Sequence, residues 1–301
     1  MEPDAALVVC RFLHDAGAML VWGGAAYLAV LVPAGLAADV ARRLWPRAIL
    51  AAAVSVAATL AMLPTEAALV GNGWSDAFSP DALSGFLFDT TGGIGWTAQA
   101  AAALVLFGAI FAPARRRLGA TTATAGLALA TLALTGHAVM HDGGAGVAQR
   151  LNDMLHVLSA GAWFGALVPL AMILRRLDAH TPDAPMRDAD AATALRRFSS
   201  AGHAAVALAI LTGIGNTLFI VGGVPADWSS PYQAMLSGKI AVVAAMVALA
   251  LANRYALVPR MGAPAGDAVR TLRRTTLVEV GLGVVAIALV AAFGTLDPLP
   301  G

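Results

Sequence analysis

Six histidines stand in the 301-residue chain: His14, His137, His141, His156, His180 and His203. Imidazole is the side chain that most often binds metals and moves protons near neutral pH. Asp153 lies three residues before His156 and Asn152 four before, so on a helix both share its face, and Trp163, seven after, extends the same stripe. His137 and His141 are four apart and share a face if one helix carries both. Met140 and Met154 flank these histidines, and Met62 and Met235 lie near the same end of their segments. Thioethers are soft ligands that favour Cu(I), while imidazole accepts copper, zinc and haem iron. The candidate metal set is therefore His14, His137, His141 and His156 with Asp153, Met140 and Met154. A copper ion suits it; the alternative is a bis-histidine haem b that carries electrons.

These side chains are placed by unusually apolar elements. The chain is 59% apolar and 12% charged, against about 45–50% and about 25% in soluble domains. Mean hydropathy is +0.76. A soluble globule could not cover its surface with so few charges, and a net charge of +1 gives no pull on nucleic acid. Stretches near 7–32, 45–65, 92–112, 119–140, 151–174, 198–221, 236–257 and 274–294 are each long enough to cross the hydrocarbon core. They are rich in Ala, Leu, Val and Gly and lack the alternation of a β-barrel. The expectation is an all-α polytopic bundle in the lipid bilayer, about eight transmembrane helices, with residues 1–301 forming a single integral-membrane domain. The acidic start, Glu2 and Asp4, does not read as a signal peptide. Cys10, the only cysteine, excludes an internal disulfide. No nucleophile elbow, phosphate loop or His-Glu-x-x-His signature is present, so no enzyme is expected.

The basic residues set the direction. Sixteen of the nineteen fall between spans one and two, three and four, five and six, or seven and eight; Arg11, Arg150 and Lys239 remain for the opposite side. The positive-inside rule places the sixteen in the cytoplasm, leaving both termini periplasmic. His14, His137, His141 and His156 then sit towards the outer face, His14 roughly 8–12 Å deep at 1.5 Å per residue. The segment 66–91 carries Trp74, Phe78, Phe86 and Phe88 among aspartates and is read as lying over the bundle mouth.

A second polar set lies towards the cytoplasm. His203 and Glu279 are each about six residues inside their spans. A carboxyl group in an apolar span needs a partner: His203, or Asn253 or Arg254 at the end of span seven. Arg11 and Asp15 are four apart and can pair along their helix. Lys239 can snorkel. His180 falls in a cytoplasmic loop and is given no role.

Thr135-Gly136-His137-Ala138, then Asn152-Asp153-Met154-Leu155-His156, then Ala160-Gly161-Ala162-Trp163-Phe164-Gly165-Ala166-Leu167, resembles the signature of the CopD/PcoD copper-resistance membrane proteins. Arg197-Phe198-Ser199, Pro231-Tyr232 with Leu236 and Lys239, and Asn253-Arg254 are similar to later parts of that family, and Arg11, His14 and Gly23-Gly24 agree in style. The resemblance covers most of the chain. It implies an eight-span protein of the bacterial inner membrane that handles copper with a periplasmic CopC-like carrier, and it matches His137, Asp153, His156 and Trp163 to the motif. His141, Met140, Met154 and His203 are not part of the pattern, and Ala166 stands where the family has a second glycine.

Overall fold

The computed structural model describes residues 1–178, 184–262 and 267–298, and no strand occurs among them. His180 lies outside the described residues. Among the described residues nine α-helices follow in order: α1 Pro3–Ala26, α2 Ala34–Val70, α3 Pro80–Asp89, α4 Thr91–Ala109, α5 Ala114–Ala130, α6 Gly143–Asp178, α7 Ala184–Val221, α8 Pro231–Ala252 and α9 Asp267–Phe293. Eight of them, all but α3, are long and apolar enough to cross a membrane, as the hydropathy pattern requires.

Where the helices depart from the expected edges, the reason is local. Helix α2 begins at Ala34 rather than near 45, carrying Arg42, Arg43 and Arg47 on a helix instead of in a loop. Its 37 residues span roughly 55 Å at 1.5 Å each, well beyond a hydrocarbon core of about 30 Å. Arginine is a good helix former, so the helix continues past the lipid. There Arg42 bonds Asp39, and Arg176 from the end of α6 stands 3.7 Å from the same carboxylate. Arg117 at the start of α5 stacks on Trp45 of α2. The arginine-rich ends of α2, α5 and α6 thus meet on one side.

The fourth span ends earlier than expected. The α-helix stops at Ala130, a 3-10 turn runs to Leu134, Thr135 is extended, and Gly136 has φ +61°. Gly136 takes the left-handed conformation that a side chain resists. The helix therefore does not carry His137 and His141 on one face; His137 sits in a separate 3-10 turn, Gly136–Val139.

Helix α1 is central, packing against α2, α5, α6 and α9. Its contact with α6 is made through backbone. A β-carbon at Gly23 would overlap the Gly161 carbonyl oxygen, and one at Gly165 would overlap the Met19 carbonyl oxygen. Small residues let helices in lipid approach this closely. The segment between α2 and α4 contains α3, N-capped by Ser79 with Pro80 in the first turn. Phe86 of α3 is buried, while Phe78 and Phe88 are exposed.

Candidate metal site in the outer cavity

A cavity of about 300 Å³ opens among α1, α2, α4, α6, α7, α8 and α9, and Phe86 of α3, from the segment 66–91, stands on its wall. Helix α1 contributes Arg11, Asp15 and Met19 at four-residue spacing, and α6 contributes Asp153, His156, Ala160 and Trp163. Each set is one helical face turned to the same space.

His156 is held from behind. Its Nδ1 lies 3.0 Å from the Ala209 carbonyl oxygen and 3.2 Å from the Thr212 hydroxyl. A carbonyl only accepts, so Nδ1 carries the proton. The Thr212 hydroxyl donates its own proton to Leu208 O, 2.6 Å away. The Nε2 lone pair is left for the cavity. A metal-binding histidine is typically oriented this way, its second nitrogen donating to a carbonyl. Gly213 gives the ring room, since a β-carbon there would sit 3.2 Å from Cε1.

His137 lines the same cavity. Its ring lies near the carbonyls of Phe293 and Leu296, and its Nε2 is buried without a hydrogen-bond partner. Burial and the positive charge of Arg11 push the His137 pKa down, with the carbonyls opposing. Tyr232 packs edge-on against the ring at 5.3 Å.

Asp153 completes the cavity group. Its Oδ1 accepts from Asn216 Nδ2 at 2.7 Å, and Asn216 Oδ1 accepts from Asn152 Nδ2 at 2.6 Å. Asn152 also donates to Thr212 O at 2.8 Å. The chain of amides ties the Asp153 carboxylate to α7.

The other candidates lie elsewhere. His14 is 0% exposed and faces α2, off the cavity wall. Its Nδ1 lies 2.7 Å from Thr59 Oγ1 and 3.1 Å from Ser55 Oγ. Thr59 donates to Ser55 O and Ser55 to His14 O. The two hydroxyls thus hold Nδ1 against α2, and Nε2 is unpartnered. His141 donates from Nδ1 to Gln149 Oε1 at 2.8 Å, and Gln149 Nε2 donates to His137 O at 2.5 Å. His141 thus braces the turn that holds His137. Met140 is 41% exposed, and neither it nor Met154 lines the cavity. Cys10 is also off the cavity. Among the described residues no three His, Cys, Asp or Glu side chains stand close enough to hold one ion.

The cavity supplies thioethers that the sequence pattern alone did not single out: Met19 and Met246 join Met62 on its wall. Glu66, Asn216 and Tyr232 line it as well. The available signals were the repeat Arg11, Asp15, Met19, the pair Met62 and Glu66 four apart, and a polar Asn216 inside an apolar span. Among the lining residues, Asp15, Glu66 and Asp153 formally outnumber Arg11 and Lys239, a balance that suits a cation. Arg11 and Asp15 are not within ion-pair distance of each other, and Lys239 faces the cavity rather than snorkelling.

On the opposite half, Glu279 accepts from Asn253 Nδ2 at 2.6 Å, one of the partners expected for it. His203 lies on the same inner cavity, but its nitrogens are engaged by Ser199 O and the Tyr255 hydroxyl.

Comparisons with known proteins agree with this architecture. Residues 1–147 match the family model described as copper resistance protein D-like, N-terminal domain, and residues 192–293 match copper resistance protein D. The chain is 34% identical to inner membrane protein YebZ of Escherichia coli K12 over 97% of this chain and 98% of that protein. It is 39% identical to copper resistance protein D of Pseudomonas syringae pv. tomato, over 58% of this chain and 57% of that one. It is 30% identical to copper transport protein CutJ of Bacillus subtilis, over 81% of this chain and 44% of the relative. No solved structure matches the chain. With the whole length shared with one relative and two family models matched in order, the chain is a multi-pass inner-membrane member of the copper resistance protein D family.

Proposed function

We propose that this protein takes up copper from the periplasmic side into the outer cavity and passes it across the inner membrane. The observation that carries the reading is that His137 and His156 line one cavity with Nε2 free of protein partners. His156 donates Nδ1–H to the Ala209 carbonyl and keeps its Nε2 lone pair, and His137 Nε2 has no hydrogen-bond partner. With Met19, Met62 and Met246 on the same wall, the donors are imidazole and thioether, the combination that selects Cu(I). Asp153 supplies negative charge beside them. The names of the relatives, copper resistance protein D and copper transport protein CutJ, point to the same cargo.

Sixteen basic residues on one side orient the molecule with both termini and the cavity mouth in the periplasm. A CopC-like periplasmic carrier is the partner this orientation suits, because it would deliver copper to the face that Phe86 covers. The test is copper(I) titration of the purified protein in lipid nanodiscs, followed by uptake into proteoliposomes. One bound copper per chain and net copper uptake support the reading. Copper-independent behaviour in both assays overturns it.

A further inference from the structure

A second cavity of about 250 Å³ lies directly beneath the first, towards the arginine-rich face. The two are stacked along the same helices: Ala209 above and Val206 below on α7, Val243 above and Val247 below on α8, Gly283 above and Glu279 below on α9. Among the described residues Trp163 of α6 is the one side chain that lines both cavities, packed at their boundary with Leu167 and Met246.

That side chain abuts a buried carboxylate. Trp163 is 6% exposed, and its indole lies against Glu279, which is 2% exposed and lines the inner cavity with it. Glu279 accepts from Asn253, whose Oδ1 accepts from the Thr275 hydroxyl at 2.6 Å. Asn253 begins a π-helical turn, Asn253–Leu257, a distortion often found at functional positions. The next two residues of the turn reach α7: Arg254 bonds the Ser199 hydroxyl, and the Tyr255 hydroxyl lies 3.3 Å from His203 Nε2. Glu279 is therefore tied through Asn253 to the inner rim. Glu279 is also the one carboxylate among the described residues lining the inner cavity, so it offers a counter-charge to a cation that has passed the indole.

We propose that Trp163 is the gate between the two chambers and that Glu279 is the latch that holds it closed. Cargo in the outer chamber reaches the inner one when the indole leaves the carboxylate. The cargo rests on the transport reading above; the gate is tested without it.

The test places a reporter thiol in the outer chamber, Ala160→Cys, in a Cys10→Ala background. A membrane-impermeant cationic methanethiosulfonate is then applied to membrane vesicles of both orientations. The parent is modified from the periplasmic face and resists modification from the arginine-rich face. Trp163→Ala and Glu279→Ala each raise the inner-face rate about tenfold or more, the change expected of a latch worth one hydrogen bond to a charged group. Trp163→Phe, which lacks the indole N–H, behaves like Glu279→Ala, while Glu279→Gln keeps an acceptor and stays near the parent. Unchanged inner-face rates in Trp163→Ala and Glu279→Ala, with outer-face labelling intact as the folding control, overturn the gate. A raised rate in a protein that carries no copper leaves the gate standing and removes the cargo.

Discussion

The Nδ1 of His156 lies 3.0 Å from the carbonyl oxygen of Ala209, across the contact between α6 and α7. That bond decides which nitrogen faces the cavity. With Nδ1 protonated, Nε2 is an acceptor at neutral pH with no tautomer change needed. Outer partners of this kind are worth about 10–100-fold in metal affinity. Removing the ring itself costs more. His156→Ala is expected to lower copper(I) affinity by more than that range while the bundle still elutes as a folded species. Competition with a Cu(I) chelator and size-exclusion chromatography of the same sample measure the two halves.

His14 makes a contrasting prediction, because it faces α2 and not the cavity. His14→Ala weakens copper binding less than His156→Ala. The double variant Ser55→Ala/Thr59→Val leaves the buried His14 Nδ1 without its hydrogen-bond partners, which costs about 1–3 kcal/mol. The lowered thermal midpoint of the purified variant reports it, and a midpoint equal to the parent's would refute a stabilising role for these bonds.

The pH response follows from His137. A proton and a metal compete for the same lone pair, so binding fails only where the imidazole protonates. Burial and Arg11 place that point lower for His137 than the ordinary value of about 6.5. Copper affinity should therefore hold as pH drops through about 6.5 and decline only below it. Removing the Arg11 charge, Arg11→Gln, moves the decline to higher pH. A parent midpoint at or above the ordinary histidine value contradicts this.

Helix α1 approaches α6 through Gly23 and Gly165 with no space for a β-carbon. The obstructing atoms are backbone and cannot rotate away. Gly165→Leu should destabilise by at least the overpacking cost of about 1–3 kcal/mol. It is expected to reduce the folded fraction recovered from membranes, measured by fluorescence-detected chromatography. Gly108→Leu, at an open position, is the control that should not.

The haem alternative has its own readout. A bis-histidine haem b gives an intense Soret band that shifts on reduction. The purified protein is expected to lack it and to be colourless when loaded with copper(I). A Soret band that vanishes in both His137→Ala and His156→Ala would assign the pair to haem.

Much of the fold was legible because a bilayer imposes simple rules. Apolar runs of about 20 residues must be helices when no water can satisfy their backbone, and arginines sort to one side. Motif residues Asp153, His156 and Trp163 share a helix, so their spacing alone put them on one face. Chain distance and helix phase could not reveal that His14 turns to α2 while its neighbour Asp15 turns to the cavity, because the contact partners of α1 are decided by tertiary packing. Nor could they show that Gly136 breaks the fourth span, separating His137 from His141, or that Met19 and Met246 from distant helices line the same cavity as His156. The sequence by itself determined a helical membrane protein and the kind of donors it carries, because those depend on local composition and period. Only the tertiary structure decided which donors share a cavity, which nitrogen His156 presents, and that Trp163 lines two chambers at once, because those depend on helices brought together from opposite ends of the chain.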